Sequence, residues 1–240
     1  MSETDIMTQI EENEPRFLKL QGLYGSFEIP ESNFTLRYFS TFANNREKDS
    51  DHHKLLQELK PMRERLQASS VNDLGTLLQR DLDDARVSQD LVPYLQNLKG
   101  DGKHIAFFPS ILAVLMPQSF LVADNAKYPS IDFNDALIDN YSNYWKSQYF
   151  PVGQSGKRSH LGVLHVNIDK THVVVLDGQH RANAFRVMSN CFDGLKQGEI
   201  YAPFYNDIDK SKIKDVFPAD LPVTLVWFEI KKSIIEKFNS

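Results

Sequence analysis

Along this chain, apolar residues recur with period two in some stretches and with helical period in others. Over residues 16–43, Phe17, Leu18 and Leu20 lead to a turn near Gly22–Gly25. Phe27 and Ile29 follow, then Leu36, Tyr38 and Phe39, and the whole stretch reads as extended and β-rich. After a charged loop at 44–53, Leu55, Leu56, Leu59, Met62 and Leu66 predict a helix over Lys54–Gln67. A second helix is expected from about 71 through Leu77 and Leu78. Val87, Leu91, Leu95 and Leu98 make the stripe of a third, with Asp81 placed to cap it and Gly100 to stop it.

Ile105–Met116 is apolar on both alternating faces, the pattern of a central strand, with a bend expected at Pro109. Between 117 and 160 the periodicity is weak. Ile131–Trp145 is expected to be helical, and the Gly/Ser/basic stretch Pro151–Ser159 a mobile loop tip. Leu161–Ile168 and Thr171–Leu176 are strands, and the short Asp169-Lys170 connection predicts that they pair as a hairpin. The second strand runs into Asp177-Gly178, and a helix continues to about Asn190. Loop and helix fragments fill 193–220, and Leu221–Glu229 is a last strand interrupted only by Pro222. This mixed order predicts an α+β (mixed α/β) fold, a mixed sheet flanked by helices.

Composition narrows the function classes. The chain has 240 residues, 41% hydrophobic and 25% charged, enough for one domain with a substantial core. Residues 1–15 hold five acidic residues and no Lys or Arg, which suits a flexible acidic tail ahead of a single domain over 16–240. Within that domain, 16–50 is a β-rich N-terminal portion and 75–230 the core. The net charge of −5 argues against sequence-independent nucleic-acid binding over the whole surface, while a local basic patch stays open. The one cysteine, Cys191, excludes an internal disulfide. With no apolar run of about 20 residues and no leader pattern, no membrane partner is expected and the cytoplasm is the expected location.

The chemistry gathers at Asp177-Gly178-Gln179-His180-Arg181. Gly178 permits a sharp turn out of a buried strand, and the first turn of the following helix offers unpaired amides and the positive end of a dipole to an anion. Arg181 adds a permanent forked charge suited to phosphate. Asp177 is placed to cap the helix or to hold Mg²⁺ through water. Gln179 and His180 can orient or deprotonate a water.

The pentapeptide resembles the signature of the DGQHR-domain family of DndB-like proteins of DNA sulfur modification. So do Leu78-Gln79-Arg80-Asp81-Leu82-Asp83-Asp84-Ala85-Arg86-Val87, Val92-Pro93-Tyr94-Leu95, Phe107-Phe108-Pro109 and Val114-Leu115-Met116-Pro117. The likeness covers roughly residues 75–190. It implies a core similar to the ParB/sulfiredoxin-like fold, whose members bind nucleoside triphosphates at a Gly-x-x-Arg turn. Carried over, Gly178 and Arg181 would hold the phosphates of ATP or another NTP, with Asp177 beside them in the cofactor site and Mg²⁺ as an option. Gln79 and Arg80 would reach in from the opposite wall, and Gln179 and His180 would be the catalytic pair if hydrolysis occurs. Gln179 stands where sulfiredoxin has its catalytic Cys, which excludes that chemistry. The resemblance also implies a DNA-modification or phage-defence setting, in which the alternative is a non-catalytic DNA-binding regulator.

Other patterns carry less. Gly153–Arg158 lacks the first Gly and the Ser/Thr of a phosphate-binding loop and precedes a strand. Asp220 with Glu229 faintly resembles a nuclease carboxylate pair. His165 and His172 would approach each other on paired strands, too few ligands for a metal. Tyr144, Trp145, Tyr149 and Phe150, beside Lys146 and Lys157-Arg158, suit a satellite core better than a base-stacking platform.

Overall fold

A computed structural model describes residues 16–28, 34–65, 82–97, 108–121, 129, 131–189, 202–206, 208 and 219–230. Among these, the architecture is α+β: one large mixed sheet and a few helices. The acidic N-terminal stretch, the helix expected near 71–78, and Gln79, Arg80 and Asp81 lie outside the described residues.

Two long strands open the fold, β1 (Phe17–Glu28) and β2 (Phe34–Asn44), paired antiparallel. Helix α1 follows at Asp51–Glu58, earlier than its periodicity suggests, because Ser50 caps it by accepting from the His53 amide. The expected run to Gln67 breaks after Glu58. Pro61 has no amide proton and disfavours helical backbone at Lys60. Lys60–Pro61 instead forms a two-residue bridge, β3, before a single turn, α2 (Met62–Arg65). A π-helical turn at Arg86–Leu91 leads into α3 (Val92–Asn97), with Val87 and Leu95 buried as their spacing implies.

The next strand is β4 (Ile111–Pro117), buried nearly throughout; Phe108–Ser110 stays outside it. Residues 131–145 are not helical. They form β5 (Asp132–Asp135), β6 (Ile138–Tyr141) and the start of β7 (Trp145–Val152), an antiparallel meander. The alternation Asp139/Tyr141 and Trp145/Ser147/Tyr149, all buried, is a strand pattern. The expected loop tip at 151–159 is a compact turn between β7 and β8 (Lys157–Asn167), closed by Gly156 in the left-handed region. Then come β9 (Thr171–Asp177), α4 (Gln179–Met188), α5 (Ala202–Asn206) and β10 (Asp220–Ile230). Pro222 is tolerated in β10 because the ladder with β4 begins only at Val223.

The sheet order is β3-β9-β4-β10-β2-β1-β8-β7-β6-β5. The hairpin expected between β8 and β9 is therefore absent. The two strands stand five ladder steps apart and, traced through the pairings, run in the same sense. A three-residue link at 168–170 can join them only if the sheet coils strongly on itself. The usual right-handed twist of about 20–25° per step supplies roughly 100–125° over five steps, so the link turns a corner. Packing across the coil agrees. The Trp227 ring of β10 meets Tyr141 of β6 at 5.9 Å and Trp145 of β7 at 6.5 Å, strands far from β10 in the ladder. These rings, with Tyr24 and Phe39, fill the inner core.

Candidate functional site

Strand β9 delivers the motif. Its Val173, Val174 and Val175 are buried, and the chain leaves the sheet at Asp177, which pairs with Leu112 at the start of β4. Gly178 then takes φ 82°, and a Cβ there would stand 2.6 Å from the Ile111 Cδ1 and 2.8 Å from the Arg181 Nη2. Glycine is thus required twice over, by the left-handed backbone and by the guanidinium lying against it. Helix α4 starts at once, with Gly178 as its N-cap and no side chain capping its first amides. Asp177 does not cap. It is 77% exposed and faces Arg181 in an ion pair at 3.5 Å.

The other motif residues diverge. Arg181 turns back over the helix start and donates from Nη1 to the Pro109 carbonyl, which ties the turn to the chain entering β4. His180 points away. Its Nε2 accepts the Asp83 amide at 3.0 Å, which fixes the neutral ring with its proton on Nδ1. Burial holds this imidazole below its ordinary range, with the Arg86 charge adding to the effect. Asp83 in turn accepts the Arg86 amide at 3.0 Å, so the Asp83–Arg86 turn is locked against the start of α4. Gln179 is 6% exposed and packs inward. The open face of the turn therefore carries Asp177, Gly178 and Arg181, whereas Gln179 and His180 serve its inner and lateral sides. Gln79 and Arg80, the proposed opposite wall, lie outside the described residues.

Behind the turn sits a polar network that sequence reasoning missed. Arg186, 1% exposed, forks onto Glu64 at 2.9 and 2.8 Å and onto Asn183 Oδ1 at 2.9 Å. Arg63 forks onto buried Asp84 at 2.7 and 2.6 Å, and the Tyr205 hydroxyl donates to Asp84 at 2.5 Å. Burial first, and the hydrogen bond to Asp84 next, hold the Tyr205 phenol well above its ordinary range. Through these bonds α2 is tied to α4 by Glu64, and Asp84, just ahead of the π-helical turn, ties α2 to α5. The signal was present in Arg63-Glu64-Arg65 and Asp83-Asp84, but charge runs usually mark solvated faces.

The weaker candidates separate. Asp220 and Glu229 lie at opposite ends of β10, about 30 Å apart at strand rise, each in its own ion pair, with Arg46 and Arg37. His165 and His172 sit on strands that do not pair with each other, and His165 bonds Gln148 at 3.1 Å. Arg158, half of the expected basic pair, is held by buried Asp139 at 2.8 Å. Among the described residues, no three His, Cys, Asp or Glu side chains converge as a metal site, and no helix is long and apolar enough to cross a membrane. Compared with protein-family models, with curated proteins and with solved structures, the chain matches none.

Proposed function

We propose that the β9–α4 turn is a phosphate site and that the chain is a nucleotide-binding domain, with ATP or another NTP as ligand. The observation that carries this reading is the uncapped helix start with the Arg181 guanidinium folded over Gly178. Amides, dipole and cation meet there with no side-chain cap competing for the amides. Mg²⁺ would arrive on the phosphates, which supply most of its ligands. Asp177, exposed and at the rim, is suited to hold one of its waters.

The geometry suits binding rather than hydrolysis. His180 spends its acceptor nitrogen on Asp83 and Gln179 is turned inward, so neither faces the open side of the turn. The motif's likeness to DndB-like proteins adds, by analogy, a role in DNA modification or phage defence, with the nucleotide as a sensed ligand and a ParB-like core as the fold.

The test is calorimetric titration of the four NTPs with Mg²⁺ on the wild type and on Arg181→Ala. Loss of one charged hydrogen-bonding partner should weaken binding by about 10–100-fold. No binding of any NTP to the wild type would sink the reading. Release of inorganic phosphate would reinstate hydrolysis.

A further inference from the structure

The inner face of the coiled sheet changes character at one end. In β1, the inward row Leu18, Leu20, Tyr24 ends at Ser26. In β2 it passes from Ala43 and Phe39 to Arg37, and in β10 from Leu225 and Trp227 to Glu229. In β8, Val166 and Leu164 give way to His160 and Arg158. The register sets Ser26 opposite Arg37, and Arg37 opposite Trp227, so these changes fall close to one level. Inward positions at the end of a hydrophobic core would cost least as apolar residues. Here they form a polar mouth over an aromatic floor, around a cavity of about 320 Å³.

The charges in this mouth are layered. Asp139 is fully buried and Glu229 15% exposed, whereas their partners Arg158 and Arg37 are 34% and 28% exposed. The carboxylates lie deep and the guanidiniums nearer the opening, so the opening presents cations. Arg158 is fully engaged: by Asp139, by the Ala136 and Asp135 carbonyls, and over the Tyr149 ring at 4.6 Å. Arg37 gives only its Nε to Glu229 among the described residues, leaving both Nη groups for a ligand. His160 donates from Nδ1 to the Tyr24 carbonyl at 3.1 Å, which leaves Nε2 as an acceptor. The hydrocarbon in the described lining comes from tyrosine rings, with no aliphatic side chain. Tyr38 reaches the rim because Gly25 beneath it has no Cβ to collide with the ring.

We propose that this mouth binds a small organic anion bearing a flat unsaturated ring, its carboxylate or phosphate forked by Arg37 and its ring held by the tyrosine walls. The fork geometry of arginine favours an oxyanion with two oxygens in a plane, and aromatic walls favour a planar ligand. The cavity is at the small end of ligand sites, which limits the occupant to one ring system with one anionic group. The site is separate from the β9–α4 turn.

The experiment titrates phenyl phosphate, benzoate and inorganic phosphate into the wild type, Arg37→Lys and Ser26→Phe, read by calorimetry and by protein chemical shifts. Arg37→Lys keeps the charge for Glu229 but loses the fork. Ser26→Phe fills the mouth from an exposed position and leaves every ion pair intact. Phenyl phosphate and benzoate should bind the wild type, at least about tenfold more weakly to Arg37→Lys, and not at all to Ser26→Phe. Their failure to bind the wild type at about 10 mM, the weak limit for such small ligands, overturns the proposal. So does binding that both variants leave unchanged, or inorganic phosphate binding as tightly as phenyl phosphate.

Discussion

Replacing Asp84 with Leu should be among the most damaging single changes behind the helix start. Asp84 is 4% exposed and takes two bonds from Arg63 and one from Tyr205. Leucine is close to aspartate in shape, so little cavity forms, and the cost comes from stranded partners. The Arg63 side chain, 22% exposed, would keep its charge in a largely dry site, and the Tyr205 hydroxyl would lose its acceptor. Breaking one side of such a buried pair costs about 3–5 kcal/mol. A typical domain has only about 5–15 kcal/mol in total. With a urea slope of about 2 kcal/mol/M, the midpoint should fall by about 2 M. Urea unfolding followed by the fluorescence of core Trp145 and Trp227 reads this directly. The double variant Arg63→Met/Asp84→Leu removes both charges and should recover at least about 1 kcal/mol over Asp84→Leu alone. A cost below about 1 kcal/mol for Asp84→Leu, or a double variant as unstable as the sum of the singles, would refute the network's assigned role.

Three further outcomes follow from the geometry. Gly178→Ala should destabilise by about 1–3 kcal/mol, since the new methyl meets Ile111 and Arg181 at a positive φ; thermal unfolding measures it, and an unchanged midpoint would contradict the turn's geometry. His172 is held at about 4, against an ordinary 6.5, first by burial and then by the Arg65 charge. Because the unfolded ring binds its proton at higher pH than the folded one, its contribution is complete above 6.5 and is lost as pH falls from 6.5 towards 4. His172→Gln should flatten the urea midpoint across that window, and an unaltered pH slope would count against the assignment. Finally, His180→Ala should leave the Asp83 amide without its acceptor and raise hydrogen exchange at Asp83–Arg86. Unchanged protection there would mean the contact does not hold the two elements together.

The turn at 177–181 was legible in the sequence because every cue to it is local: a strand of β-branched residues, a glycine, and a change from period two to helical period. The two errors in strand placement are not local matters. Hairpin reasoning sees that three residues separate β8 from β9, but β1 claims β8, and β4, over fifty residues upstream, claims β9. In 131–145, Ile131, Leu137, Ile138, Tyr141 and Trp145 fit helical spacing as well as they fit short strands. What decides is the inward alternation of Asp139 and Tyr141 with Trp145, Ser147 and Tyr149, visible only once the sheet gives it a core to face. The network around Arg186 was hidden for a related reason: a buried charge reads like a surface one until its partner is located.

The position of β10 bears on how the chain acquires its shape during synthesis. Residues 220–230 are translated after every other described strand, yet they insert between β2 and β4 at the middle of the sheet. Until they emerge from the ribosome, the edges of β2 and β4 that they will join stand open. From the synthesis of β4 until β10 emerges, the nascent chain therefore carries both edges unpaired, a state that favours intermolecular pairing and holdase capture. Docking of β10 onto β2 joins positions nearly two hundred residues apart, a long-range pairing of the kind found in slow-folding topologies.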